Sequence, residues 1–378
     1  MPEMTRRERM LTANRAKRAD RLPFFHWWRH CQLGWAEREC RNRGMGMVWA
    51  RPSYTTKLHD VSVTEQEITS GGVTVFRKTY TTPVGSVSYD EQREPGTGQW
   101  HGARSWLDVT PWFVQRLIKE PADYAVVKFI VEHTEYRADY FPIEQAKDWL
   151  GEDGIVTDIH PHTPLQTLMI DWVGSEGGRF FVHHAKYPDL VEDLCQAIAK
   201  SRLPMYEIAA RSPADVIWCG DNIDGVLVNP RLFEKFFMPE YETMASILRP
   251  FDKLLGVHMD GRVAVLKDQI ARTPIDIIEA LHPPTMGDLP IGEALAAWPG
   301  KVIWVGLPSS VYTLGTEATR KGVLALLRDV VPGDRLAIAM STENIVSNDN
   351  LRMVTSILEN AELPLTPESI DRIEKSIS

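Results

Sequence analysis

From about residue 150 onward the chain alternates short apolar runs with segments whose apolar residues recur at the helical period. The runs are GIVTDIH (154–160), RFFVHH (179–184), DVIWCGD (215–221), KLLGVHMD (253–260), DIIEALH (276–282), KVIWVGL (301–307) and RLAIAMS (335–341). Helical segments follow most of them: PRLFEKFFMPEYETMASILRPF after the third, AVLKDQIART after the fourth, GEALAAW after the fifth, TRKGVLALLRDVV after the sixth and NLRMVTSILENA after the seventh. Strand and helix in alternation build βαβ units on a parallel sheet. With LPFFHW near the N-terminus the strands number about eight, which predicts a (β/α)8 barrel. A doubly wound open sheet is the rival. No GxGxxG follows a strand and no GxxxxGK[ST] occurs, so the usual nucleotide-binding reasons for an open sheet are missing.

A barrel of this kind needs about 250 residues, and the chain has 378. The surplus matches residues 46 to about 100, a β-rich stretch of Val, Thr and Tyr that alternates apolar with polar and is broken by Gly71-Gly72 and Pro83. We read 1–378 as a single α/β barrel domain carrying this stretch as an inserted antiparallel meander. The first 20 residues read as a basic helix. An excess of 51 Asp+Glu over 42 Lys+Arg argues against a nucleic-acid partner, which selects a basic stripe. No apolar run approaches the ~18 residues of a membrane span, and the N-terminus lacks the apolar core of a secretory signal. Cys31, Cys40, Cys195 and Cys219 form no CxxC, so a reducing cytoplasm is the expected compartment. Twelve tryptophans predict an aromatic-lined pocket.

The C-terminal ends of barrel strands form the catalytic face, and polar residues stand at these ends. Asp221-Asn222 close one run, His258 and Asp260 the next, then Glu279 and His282. Ser341, Thr342 and Glu343 close the last run, and Asp158, His160 and His162 the first. In H-M-D (258–260), positions i and i+2 of a strand point the same way. The imidazole and carboxylate can therefore share the cavity and, with a carboxylate from a neighbouring strand, give three ligands and an open position on zinc or a similar ion. Alternatively they bond to each other or cap the next helix. HPH (160–162) has the same geometry. Asp221, ending a run as apolar as VIWC, is expected to hold or polarise a ligand. At most one of His183 and His184 can face a pocket if they lie on a strand, and a structural role weighs more heavily for the pair. HWWRH (26–30) offers Trp27 or Trp28 as pocket walls, or as core and rim. No G-x-S-x-G marks a serine nucleophile, and Cys219 reads as a small buried hydrophobe.

VIWCGDNIDGVLVNPRLFEKFFMPEYETM (216–244), LLGVHMDGRV (254–263), residues 277–316 and LAIAMSTENIVSNDNLRMVTSIL (336–358) resemble the uroporphyrinogen decarboxylase-like superfamily, a barrel family. The resemblance runs over about 150–362 and reaches the N-terminal third only through the opening strand. The true decarboxylases match less well. Their R-Q-A-G-R segment, which anchors substrate carboxylates, corresponds to HWWRHCQLG (26–34) with Arg29 as its only Arg, and their late His falls on Glu343. The corrinoid-dependent methyltransferases of the same superfamily bind zinc through H-x-C-G and a second Cys near the C-terminus. Here H-M-D-G (258–261) and Glu343 stand at those places. The resemblance implies an oxygen-richer ligand set of His258, Asp260 and Glu343.

A harder site of this kind suits the oxygen of an ether or alcohol. The resemblance therefore implies a zinc-dependent methyltransferase that moves a methyl group from a methoxylated compound, an aromatic one foremost, to the Co(I) corrinoid of a separate carrier protein. D-x-H-x-x-G is absent, so the corrinoid comes on the partner. In this reading Asp221, Glu279 and His160 are catalytic, with Glu279 a fourth ligand or proton manager, and Trp27, Trp28, Asn222 and His183 contact the substrate. The alternatives are a metal-independent lyase decarboxylating a small acid, a methylcorrinoid-to-thiol methyltransferase, and a binding protein that lost its chemistry. A homodimer is compatible with each. The insertion is expected either to wall the barrel mouth with Trp49, Tyr54, Tyr80, Tyr89, Trp100, Trp106 and Trp112, or to pack outside it or against a second copy.

Overall fold

The computed structural model describes residues 3–70, 72–92, 112–341 and 346–377. They fall into two compact units, one of residues 1–53, 140–160 and 210–378, the other of 54–139 and 161–209. Among the described residues of the first unit, eight parallel strands close a barrel. In chain order they are β1 (Phe24–Trp27), β2 (Gly46–Arg51), β3 (Gly154–His160), β4 (Val216–Cys219), β5 (Leu254–His258), β6 (Ile277–Leu281), β7 (Val302–Gly306) and β8 (Leu336–Ala339), each paired with its successor and β8 with β1.

Two sequence expectations are corrected. RFFVHH is not a strand but the start of a helix, Arg179–Lys186. Its buried residues, Phe180 and His183, are three apart, and Val182 between them is exposed, which is a helical period. The eighth strand is instead β2, from the stretch assigned to the insertion. Four of its six residues are buried, so the run lies between two covered layers and gives no sign of its parallel pairing.

The barrel is filled as its pleat requires, since alternate residues of each strand face inward. Phe25 and Trp27, Val216 and Trp218, Val302 and Trp304, and Ala337 and Ala339 are such pairs, and with Val48, Ile155 and Ile277 they form one buried cluster. The base is sealed by the helix Arg6–Asn14, whose Thr5–Glu8 capping box fixes its start. Met10 enters the cluster, and Asn14 Oδ1 accepts a bond of 2.8 Å from Trp304 Nε1. Arg7 grips Asp215, just before β4, through two bonds of 2.5 and 2.8 Å.

The second unit holds an antiparallel sheet of Ser62–Ser70, Val73–Thr82, Gly85–Gln92 and Trp112–Gln115, and a pair of strands, Tyr54–Leu58 with Thr134–Ala138. The antiparallel strands thus begin at Tyr54, not at residue 46, and continue past residue 100. Of the proposed wall residues, Trp100 and Trp106 lie outside the described residues. Trp49 belongs to β2, Tyr54 packs edge-on to Tyr136, Tyr89 meets Phe113, and Trp112 is exposed. Among the described residues no helix is long and apolar enough to cross a membrane.

Candidate active site

His258 and Glu279 are register partners on β5 and β6, and both face inward above the apolar layer. Their pairing therefore follows from the sheet itself. His258 Nδ1 lies 2.5 Å from Glu279 Oε2. Two indoles hold the same carboxylate: Trp218 Nε1 donates to Oε2 at 3.0 Å and Trp27 Nε1 to Oε1 at 3.2 Å. Trp218 also presents an edge contact to the imidazole, with ring centres 5.7 Å apart. Glu279 is 2% exposed, and a carboxylate so deep in the protein stays charged only because donors surround it. Burial pushes its pKa up, but the charge and bond of His258 and the bond from Trp218 leave it below the usual range.

On the other side of the ring, His258 Nε2 lies 3.5 Å from Asp260 Oδ2. Burial would lower the His258 pKa, yet Glu279 and Asp260 outweigh it and carry it up to about 10. Burial works to raise the Asp260 pKa, and His258 holds it down. With no metal present the three form an imidazolium between two carboxylates. The spacing also fits a shared ion, because two ligands at ~2.0–2.1 Å in tetrahedral array stand about 3.4 Å apart. Glu279 behind Nδ1 would then fix the imidazole, as carboxylates do at metal-bound histidines. The expected third ligand, Glu343, lies outside the described residues. Among the described residues no group of three His, Cys, Asp or Glu is placed to hold an ion.

Backbone irregularity shapes the rim. β6 slips by one residue against β7 between Glu279 and Leu281, and Ala280 at the slip has φ of 60°. An alanine in this region is strained, and the bulge it forms brings Ala280 to the cavity beside Glu279. Next, His282 Nδ1 donates to Gly306 O at 2.8 Å. A Cβ on Gly306 would come within 2.4 Å of His282 Cε1 and 2.8 Å of its Nδ1, so only glycine permits this approach. The loops after β4 and β5 are joined through the Gly225 amide to Arg262 O (2.7 Å) and the Gly261 amide to Ile223 O (3.1 Å), which sets the position of Asp260.

These groups line a cavity of about 100 Å³ together with Arg29, His30, Met286, Ser309 and Ser341. Burial, reinforced by the Arg29 charge, pushes the His30 pKa down to about 3, so His30 is neutral at physiological pH. Burial likewise lowers His26 to about 4.

The remaining sequence candidates are distributed more widely. Trp27 lines the cavity, whereas Trp28 stacks on Trp49 at 4.7 Å. Asp221 is fully buried and accepts a 2.6 Å bond from the buried Tyr241 hydroxyl, which ties β4 to the helix Met238–Leu248. Asn222 is an exposed loop residue with φ of 47°. Neither is among the cavity-lining residues. His160 is buried at the end of β3 with Nε2 3.6 Å from Asp158. His183 belongs to the second unit, where its Nδ1 meets the Tyr124 hydroxyl at 3.1 Å. Trp218 and His30 were not singled out from sequence. Trp218 had one available signal, its inward position two residues above Val216.

The fold and site define a (β/α)8 barrel with a buried carboxylate, Glu279, behind a partly exposed imidazole–carboxylate pair at the C-terminal ends of neighbouring strands. No protein-family model matches the chain, and no curated protein does. Among solved structures, a methyltransferase from Methanosarcina mazei is similar with a TM-score of 0.54, over 94% of this chain and 98% of that one, at 13% sequence identity. At such identity the likeness is one of fold.

Proposed function

We propose that this chain is a methyltransferase that removes a methyl group from the ether oxygen of a methoxylated, aromatic compound and delivers it to the Co(I) corrinoid of a separate carrier protein, the C–O electron pair remaining on oxygen. The observation that carries this reading is the donor pair His258 Nε2 and Asp260 Oδ2, 3.5 Å apart, with a fully clamped Glu279 behind the imidazole. His258 and Asp260, with Glu343 as the third ligand, would hold a divalent ion such as zinc. When bound, that ion supplies Lewis acidity at the ether oxygen.

Glu279 holds the Nδ1 proton and thereby leaves Nε2 as the lone-pair nitrogen. Trp27 and Trp218 keep Glu279 from rotating. Met286 and Ala339 supply apolar wall. Leu33, Trp35, Val226, Val265, Met286 and Leu314 are exposed, each in the segment that leaves the C-terminal end of a barrel strand. Such an apolar rim fits docking of a protein partner. The methyltransferase named in the fold comparison supports the same class of chemistry.

Elemental analysis of protein purified without chelator should find about one zinc per chain, and His258→Ala should lose it. With zinc-loaded protein, donor and reduced carrier, the Co(I) spectrum should convert to that of methyl-Co(III). Demethylation without any corrinoid would overturn the proposal, as would failure to bind metal after zinc is added. One observation favours a second reading. His258 lies 2.5 Å from Glu279 and 3.5 Å from Asp260, an array that can relay a proton in a metal-independent decarboxylase, and full activity of metal-free protein on a small acid would establish it.

A further inference from the structure

We propose that the base of the barrel, at the end opposite the candidate active site, carries a second binding site, for a phosphate group that is free or borne on a small organic molecule. A cavity of about 370 Å³ opens there beside the sealing helix Arg6–Asn14, the approach to β1 and the end of the helix Trp35–Asn42. The guanidiniums of Arg6, Arg9, Arg21 and Arg43 line it, against the carboxylates of Glu3 and Glu359. None of these residues enters the methyl-transfer reading.

Three of the four arginines are held by one edge and leave another open. Arg9 is nearly buried and gives Nε and Nη2 to Asp20 at 2.7 and 2.9 Å, while its Nη1 has no bond among the described residues. Gly44 lines the same cavity, and a Cβ there would stand 3.9 Å from that Nη1, so the open nitrogen lies at the wall. Arg6 gives Nε to the Arg41 carbonyl and Nη1 to Asp153, each at 2.7 Å, and keeps Nη2 open. Arg21 gives Nη1 to the Glu359 carbonyl at 2.9 Å. Among the described residues its one ion pair is with the exposed Glu3, 3.9 Å from Nη2, which is too long for a hydrogen bond. Arg43 is the contrast, because all three of its nitrogens are bonded, to Glu39, Glu359 and Ser356.

The N-terminal face of such a barrel ordinarily serves stability, and Arg43 fits that role. A network serving stability alone would close the other three guanidiniums in the same way. Asp20, Asp153 and two backbone carbonyls instead fix them in place beforehand, so an entering anion meets donors that are already ordered. Donors converging from separate segments suit a tetrahedral oxyanion, which has oxygens on every side, better than a carboxylate, whose two oxygens share one plane and engage a single arginine fork. The cavity also falls within the roughly 300–1,000 Å³ of small-molecule sites, and Leu22 and Phe24 give it an apolar wall for an organic group beyond the phosphate.

The test is calorimetric titration of the intact chain with inorganic phosphate and with AMP, in chloride buffer of constant ionic strength. At least one of the two should bind with a Kd of ~1 mM or below. Arg21→Gln should weaken that binding about tenfold or more, and Glu3→Gln, which removes a competing carboxylate, should tighten it severalfold. AMP binding about tenfold more tightly than phosphate would assign the site to a phosphorylated molecule, and equal affinities would assign it to the free ion. No binding of either at ~10 mM, or binding that neither substitution alters, would overturn the proposal. Glu3 is exposed, so Glu3→Gln decides the matter even if Arg21→Gln fails to fold. The outcome is independent of whether the chain transfers methyl groups.

Discussion

At the scale of single residues, Glu279 shows how a charge is kept deep in a barrel. It sits opposite His258 in register and above two indole donors. Glu279→Gln should cost about 3–5 kcal/mol in a denaturant titration, because the imidazolium loses its buried counter-charge. It should also weaken zinc binding by ~10–100-fold. His26 gives a pH prediction. Its folded pKa is about 4 against an ordinary 6.5. Between those values the unfolded chain binds a proton that the folded chain refuses, so stability falls as pH drops through the window and is level above it. The full effect is about 3 kcal/mol, and His26→Asn should flatten the slope between pH 7 and 4. The acids and imidazoles at strand ends were legible in the sequence because a polar residue after an apolar run is conspicuous. Trp27 was legible only as a wall, and its N–H to Glu279 was not. Asp221 looked like a site residue for the same conspicuousness, yet it bonds Tyr241, twenty residues on in a helix, and no local pattern pairs the two.

At the scale of elements, periodicity read the barrel well where strands alternate with long helices. It failed where a run was short. RFFVHH has the composition of a strand, but Gly177 and Gly178, both at positive φ, turn the chain into a helix. GMVWAR is buried along most of its length, so neither period shows. The β6 bulge was also illegible, because alanine carries no turn signal. Ala280→Val should be destabilising by more than the ~1–2 kcal/mol that the left-handed region already costs alanine, measured by thermal unfolding. Gly306→Ala should displace the His282 ring and break its bond to the Gly306 carbonyl. We expect a loss of about 1–3 kcal/mol and a shifted His282 imidazole resonance.

At the scale of the whole chain, the exposed residues beyond the strand ends give a prediction about partners. Leu314→Glu or Val226→Glu should raise the KM for the carrier protein while leaving that for the methyl donor unchanged. Equal effects on both would remove the docking reading of the rim. The helix that seals the barrel's other end has a different consequence. Its Asn14 waits for Trp304, 290 residues later, so a piece of chain that is synthesised well before β7 can be fitted only after it. Contacts of such separation fold slowly. Until most of the barrel has been synthesised, Met10 and its helix have nothing to close, and the nascent protein remains open at its base.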